Sequence, residues 1–201
     1  MSVIKETQLT SKGMKTRQKI LNTAEKIFGE KGYFETSIVD ITVKAGVAQG
    51  TFYNYFPTKK SIYDELVRQL SSSLRYQIKI AMEEETSFND KQRAGFRAFF
   101  EWVLSHRNLY SIVQQSVLVD KELYRWYYEK IAAGFIKSIE TAVDKEECKP
   151  LNPETVAYCL MGVGQFIGMR WLLWEGQEVP EEVFEEAMQV IFHGVSLSEV
   201  K

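Results

Sequence analysis

Residues 36–60 read Thr36-Ser-Ile-Val-Asp-Ile-Thr-Val-Lys-Ala-Gly-Val-Ala-Gln-Gly-Thr-Phe-Tyr-Asn-Tyr-Phe-Pro-Thr-Lys-Lys60, and this stretch decides the fold. Ser37-Ile-Val-Asp40 has the spacing of a capping box with Asp in the Glu position. Ile38, Ile41 and Ala45 then share one helical face, and Gly46 supplies the stop. A second short helix runs over residues 48–55 and ends at Phe56-Pro57, because the residue before a proline avoids the helical region. Two short helices meeting at a glycine have helix-turn-helix geometry, in which the second helix enters the DNA major groove. Ile38, Ile41, Ala45, Val47 and Phe52 fix the angle between them. Gln49, Thr51, Tyr53, Asn54 and Tyr55 keep hydrogen-bonding groups on the other faces. Gln and Asn suit bidentate contact to adenine, and Thr suits a thymine methyl or a phosphate. Tyr hydroxyls, Lys59 and Lys60 suit phosphates, which position a reader without specifying sequence. Gly50 lets a backbone approach closely.

Helical signals extend in both directions. Upstream, Ile20, Ala24, Ile27 and Phe28 recur at helical spacing from Thr16 until Lys31-Gly32. Downstream, Thr58 can cap a long helix carrying Ile62, Leu66, Leu70, Leu74 and Ile78 at every fourth position. That helix fades at Glu83-Glu84-Glu85, and a polar link covers 86–90. Phe96, Phe99, Phe100 and Val103 mark the next helix, followed by helices over 108–119 and 120–143. A charged loop with two prolines spans 144–153. The last two helices cover 153–174 and 180–195, the second with Pro180 at its first position and Glu181-Glu182 in its first turn. No alternating strand pattern and no internal repeat is present. The pattern predicts an all-α chain, with a three-helix N-terminal head on a C-terminal body of about five to six helices.

The chain has 201 residues, 45% apolar and 26% charged, with four prolines and twelve glycines. This is ordinary globular composition and excludes collagen, low-complexity disorder and a disulfide-rich miniprotein. The net charge of −2 hides an asymmetry: residues 1–60 carry ten Lys+Arg against five Asp+Glu. A basic first third on an acidic remainder suits a small polyanion-binding head. Cys148 and Cys159 have no metal-ligand spacing, and a reduced pair is the plain reading. The N-terminus lacks the apolar core of a secretory signal. Residues 156–174 are apolar over about one bilayer thickness. They contain Gln165, Arg170 and three glycines, and they read as a helix buried inside protein on most faces. There is no nucleophile–base set, metal triad, phosphate-cradling loop or dinucleotide fingerprint, so neither an enzyme nor a cofactor is expected.

Ala45-Gly46-Val47, Gly50-Thr51-Phe52-Tyr53-Asn54-Tyr55-Phe56 and Lys59 together resemble the signature of the TetR/AcrR family of bacterial transcriptional regulators. The resemblance covers about residues 14–65. It implies a cytoplasmic homodimer that binds a near-palindromic DNA operator, usually as a repressor, with a small-molecule pocket in the body. The divisions it implies are a basic arm over 1–13, a DNA-binding domain over 14–60 and a ligand-binding and dimerisation domain over 61–201. Gln49, Thr51, Tyr53, Tyr55 and Lys59 match family positions that often contact DNA, and Ser37 matches a helix start that touches phosphate. Two departures stand out. Ala48 replaces a frequent Ser and cannot cap its helix, a loss of about 1 kcal/mol. Lys60 follows Lys59 where many relatives are acidic, which would strengthen attraction to phosphate.

For the body, Phe99, Trp102, His106, Tyr110, Tyr127, Phe166 and Arg170 are candidate pocket residues for a small, largely apolar or amphipathic effector. Arg170 either anchors an anionic ligand group or reaches solvent or a glutamate of the last helix. Two stripes are candidate dimer surfaces: Val156, Leu160, Val163, Ile167 and Trp171, and Val183, Ala187, Val190, Ile191 and Gly194. The alternative is a DNA-binding protein of the same fold without a small-molecule effector, acting architecturally or through a protein partner.

Overall fold

The computed structural model describes residues 9–194, and among these the chain is helical with no strand. The helices are α1 (Ser11–Lys31), α2 (Ile38–Ala45), α3 (Gln49–Tyr55), α4 (Lys59–Glu83), α5 (Phe88–Ser105), α6 (Arg107–Val119), α7 (Lys121–Asp144), α8 (Pro153–Gly168) and α9 (Glu181–His193). A π-helical stretch, Met169–Glu175, continues α8. The all-α expectation holds.

Local chemistry sets most boundaries. The Thr10 hydroxyl accepts from the Gly13 N–H and starts α1 ahead of residue 14, so residues 11–13 of the expected arm are helical. Residues 1–8 of that arm lie outside the described residues, as does Val195 at the far end. Ser37 and Asp40 form the capping box on α2. Gly46 ends α2 in the left-handed region, with φ 62° and ψ 41°, where a Cβ would cost about 1–2 kcal/mol. Ala48 makes no side-chain cap to α3. Thr58 and Ser61 cap α4 reciprocally, each N–H donating to the other's hydroxyl at 3.0–3.1 Å. Ser87 caps α5 by accepting from the Asp90 N–H, so that helix starts inside the expected link. Asn152 caps α8 with Pro153 at its first position.

The chain divides into two compact units. The first takes the residues up to Ser72 together with His106–Tyr127. Ile20, Leu21, Phe28, Ile41, Phe52, Ile62, Tyr63 and Ile112 are fully buried there. α6 docks closely on α1. A Cβ built on Gly29 would stand 2.4 Å from the Asn108 Cβ, so only glycine admits this approach. The Tyr33 N–H donates to Gln115 Oε1 at 3.1 Å, and the Tyr63 hydroxyl donates to the Ile112 carbonyl at 2.6 Å.

The second unit takes Ser73–Ser105 and the chain from Tyr128 onward. Its core is aromatic: Phe100 packs edge-on against Phe184, and Phe96 lies against Phe135. α5 and α9 are tied by charge. Arg97 Nη1 donates to Glu181 Oε2 at 2.8 Å, its guanidinium lies 4.0 Å from the Phe184 ring centre, and Arg93 pairs with Glu185. Pro153–Glu175 is long and apolar enough to cross a membrane by length and composition alone. The expectation that this helix is buried on most faces is corrected: only 28% of its most apolar 18-residue window is buried within the chain. Ala157, Leu160, Gly164, Gly168 and Leu172 turn inward, while Tyr158, Phe166 and Trp174 face out.

Gly29→Ala should lower stability in urea denaturation by about 1–3 kcal/mol through overpacking against Asn108. Gly134→Ala, where a new Cβ meets nothing within 4 Å, should raise it by up to about 1 kcal/mol through helix propensity.

Candidate nucleic-acid interface

The seven residues of α3 form a helix because two phenylalanines hold it in place. Phe52 and Phe56 are buried, with ring centres 5.6 Å apart. Arg17 of α1 stands over the Phe56 ring at 5.1 Å, and its Nη2 donates to both carboxylate oxygens of Glu65 at 2.5–2.6 Å. The turn at Gly46 is closed by the Gly46 N–H on the Val43 carbonyl and the Val47 N–H on the Thr42 carbonyl. This arrangement sends Gln49, Gly50 and Tyr53 outward, all exposed. Thr51, Asn54 and Tyr55 are half-buried on its flanks. A Cβ on Gly13 would lie 3.6 Å from the Tyr55 hydroxyl, so Tyr55 leans on the first turn of α1. A Cβ on Gly50 would meet nothing within 4 Å, so the fold itself does not require glycine there.

Ser37 is exposed, and its hydroxyl is already committed. It accepts from the Asp40 N–H and donates to Asp40 Oδ2 at 2.6 Å. The Ser37 side-chain and backbone bonds hold the Asp40 carboxyl below the usual carboxylate range.

Lys59 and Lys60, expected to meet phosphate, both have partners within the free chain. The Lys59 ammonium donates to the Tyr33 carbonyl at 2.8 Å and the Thr36 carbonyl at 2.7 Å, and it sits 4.2 Å from the Tyr33 ring centre. Burial lowers its pKa. Lys60 bridges Asp64 at 2.6 Å and Asp120 at 2.5 Å. Burial pulls its pKa down, but the bonds to Asp120 and Asp64 outweigh that and the net shift is upward. Both lysines therefore close the first unit on itself: Lys59 fastens the α1–α2 link to α4, and Lys60 fastens α4 to the start of α7. Sequence reasoning missed Arg17 as the residue that positions α3. Its signal was an arginine in a helix half without an acid. It also missed the exposed valines of α2, Val39 and Val43, the latter 74% exposed.

The seven candidate pocket residues do not form one set. His106, Tyr110 and Tyr127 belong to the unit that carries α1–α3, and both tyrosines are almost wholly buried in it. His106 stands at the start of α6 without a side-chain cap. Burial raises the Glu25 pKa, and the charge of His106 opposes that shift. In the other unit, Phe99 is half-buried and Trp102 donates its indole N–H to Ser73 at 3.3 Å. Phe166 is 66% exposed and lines no interior. Arg170 pairs with Glu175, one helical stretch along, and lies over Trp171, which is the solvent-side outcome for a long cationic side chain. Among the candidate dimer residues, Leu160 and Ala187 are spent in the chain's own core. Val156, Val163, Ile167, Trp171, Val183 and Ile191 are half-buried, and Val190 and Gly194 are exposed. Cys148 and Cys159 are unbonded, and among the described residues no cluster of His, Cys, Asp and Glu suits a metal.

This geometry defines a helix-turn-helix protein. Residues 20–66 match the family model described as bacterial regulatory proteins, tetR family. The HTH-type transcriptional regulator YhgD of Bacillus subtilis is 26% identical over 165 residues, covering 80% of this chain and 85% of that protein. The fatty acid degradation regulator FadR of Bacillus halodurans shares the fold with a TM-score of 0.81 at 18% identity, covering 90% of this chain and 96% of that one. FadR of Bacillus subtilis, in complex with stearoyl-CoA, superposes with a TM-score of 0.78 at 16% identity, covering 89% and 99%. Residues 20–66 thus resemble the helix-turn-helix domain of the tetR family of bacterial regulatory proteins, and the chain as a whole is similar to DNA-binding transcriptional regulators.

Ser37→Ala should cost about 1 kcal/mol of stability and return the Asp40 pKa towards its usual value, read by carboxyl NMR titration. The sign follows from linkage. A depressed carboxyl pKa contributes stability that is present above the unfolded value of about 3.9 and lost as pH falls through the folded one. The stability difference between wild type and variant should therefore narrow as pH falls, leaving the part due to the cap on the Asp40 N–H, which does not titrate. Ala48→Ser should raise stability by about 1 kcal/mol by supplying the missing cap.

Proposed function

We propose that the protein is a homodimeric repressor that reads a near-palindromic operator with α3 and is released by a small apolar or amphipathic effector. The observation that carries this reading is the outward edge of α3, where Gln49, Gly50 and Tyr53 are presented by a helix whose opposite side is anchored through Phe52 and Phe56. In a dimer two such edges enter successive major grooves about 34–36 Å apart. Gln49 and Asn54 read base edges, Thr51 takes a thymine methyl or phosphate, and Ser37, Tyr53 and Tyr55 contribute to backbone contact. Gly50 admits the DNA backbone at close range, which fits its redundancy within the fold. Acting on chromosomal DNA, the protein works in the cytoplasm.

Dimerisation is supported by the unpartnered apolar face of α8 and its π-helical continuation, with Tyr158, Phe166 and Trp174 outward. A large exposed apolar patch on one chain favours burial against another. An effector in the second unit is supported by its aromatic core, with Phe99 and Trp102 retained as candidate lining, and by the fold shared with a FadR bound to stearoyl-CoA. By linkage such a ligand weakens DNA binding only by its differential affinity for the two states.

The test is selection from a random duplex library with purified protein. Enrichment of a two-fold symmetric sequence supports the reading, and no enrichment overturns it. Gly50→Ala should leave the melting temperature unchanged or raise it while reducing operator affinity at least about tenfold, whereas Gln49→Ala should relax preference at particular base pairs by about 1–3 kcal/mol. Phe166→Glu should yield a folded monomer in sedimentation; a folded, unperturbed dimer would remove α8 from the interface.

A further inference from the structure

The first fourteen residues of α1, Ser11 to Ala24, contain Lys12, Lys15, Arg17 and Lys19 and no acidic residue. Their side chains divide. Arg17 turns inward to Glu65 and Phe56. Lys12, Lys15 and Lys19 are all exposed, and among the described residues none of the three is in an ion pair. At 100° per residue they fall within about 60° of one another, so they form one ridge about 10 Å long. The ridge leads to the helix-turn-helix. A Cβ built on Gly46 would lie 3.7 Å from the Lys19 ammonium, which places that charge over the turn that aims α3.

This placement runs against the helix's own electrostatics. Lys12, the second residue of α1, lies in its first turn and faces the positive end of the macrodipole, an unfavourable place for a cation, and the effect fades by Lys15 and Lys19. Lys12 meets the dipole, and the i,i+3 and i,i+4 spacing of the three lysines sets like charges beside one another, so the ridge is unfavourable in the free chain unless an anion outside the chain accompanies it. At the same time Lys59 and Lys60 are held by carbonyls and carboxylates of the chain itself. The expected source of phosphate attraction is thus engaged within the chain, and cations in no ion pair lie on α1.

We propose that Lys12, Lys15 and Lys19 form a second phosphate-binding track, flanking the groove that α3 enters, and that this track rather than the Lys59–Lys60 pair supplies most of the salt-dependent affinity. The proposal rests on the DNA-binding reading and names residues outside the helix-turn-helix that carry it. Each lysine that neutralises a phosphate releases about 0.9 counterion, so each contributes about −0.9 to the slope of log Kobs against log salt. One such contact therefore changes affinity about 8-fold for each tenfold change in salt.

The experiment measures fluorescence anisotropy of a labelled 40-base-pair duplex of random sequence with the full-length protein over a range of KCl concentrations. Random sequence isolates backbone contact from base reading. Wild type should bind with a steep negative slope. Lys12→Gln, Lys15→Gln and Lys19→Gln combined should reduce that slope by about 3 per subunit, and the three corresponding Arg variants should retain it. The Gln triple variant should melt no lower than wild type, because unfavourable charges have been removed from the helix start. Lys60→Gln should melt lower and keep the wild-type slope. An unchanged slope in the folded Gln triple variant, or loss of slope in Lys60→Gln instead, would overturn the track. Absence of binding by wild type at low salt would instead overturn the DNA-binding reading itself.

Discussion

Burial of Phe52 and Phe56 is the constraint on which the rest depends. α3 has seven residues, no side-chain cap and a glycine at its second position. A helix of that length is marginal in water, since nucleation is costly and too few hydrogen bonds follow it. Its persistence comes from tertiary contact. Two phenylalanines on one side fix its azimuth, and Arg17 holds the Phe56 ring from α1 while gripping Glu65 on α4. The exposed edge is therefore rigid for a reason separate from its own sequence. Binding through a preorganised surface avoids the ordering penalty that a mobile reader would incur.

The charged residues around this anchor divide between the two sides of the surface. Inward cations are fully engaged: Arg17 with Glu65, Lys59 with two carbonyls and a ring face, Lys60 with two aspartates. Such groups restrain the first unit, and their partners within the chain distinguish them from the solvated lysines of α1. A count of basic residues treats these two populations alike, although only the outward one adds to the field seen by an approaching polyanion.

The helix-turn-helix was legible because its signals are local. A capping box, a glycine stop, a proline and an apolar periodicity each act within a few residues, and each appears where the sequence places it. What was not legible is long-range. Nothing within four residues of Lys59 says that its ammonium will meet carbonyls 23 and 26 positions upstream. Tyr110 and Tyr127 read as body aromatics, yet they are buried with the head: α6, which carries Tyr110, docks where Gly29 of α1 admits Asn108, and the start of α7, which carries Tyr127, belongs to the same unit. A glycine in the interior of α1 was the available sign of that close approach. Phe166 and Leu160 exchanged expectations for a different reason. Both lie on an apolar helix, and periodicity alone does not reveal which of two apolar faces the rest of the chain covers.

The first unit is not a continuous stretch of polypeptide: it ends at Ser72 and resumes at His106. α4 and α7 each contribute residues to both units. A head cut out at residue 60 would leave behind α6, with the Asn108 that fits against Gly29 and the Gln115 that holds Tyr33. The same holds for hybrids between two such regulators. A chimaera joined at a single crossover after the recognition helix would pair the α1 of one parent with the α6 of the other. Heads of this design are exchangeable only as two-segment grafts, so recombination at one breakpoint is a poor route to a regulator with new operator specificity and an old effector.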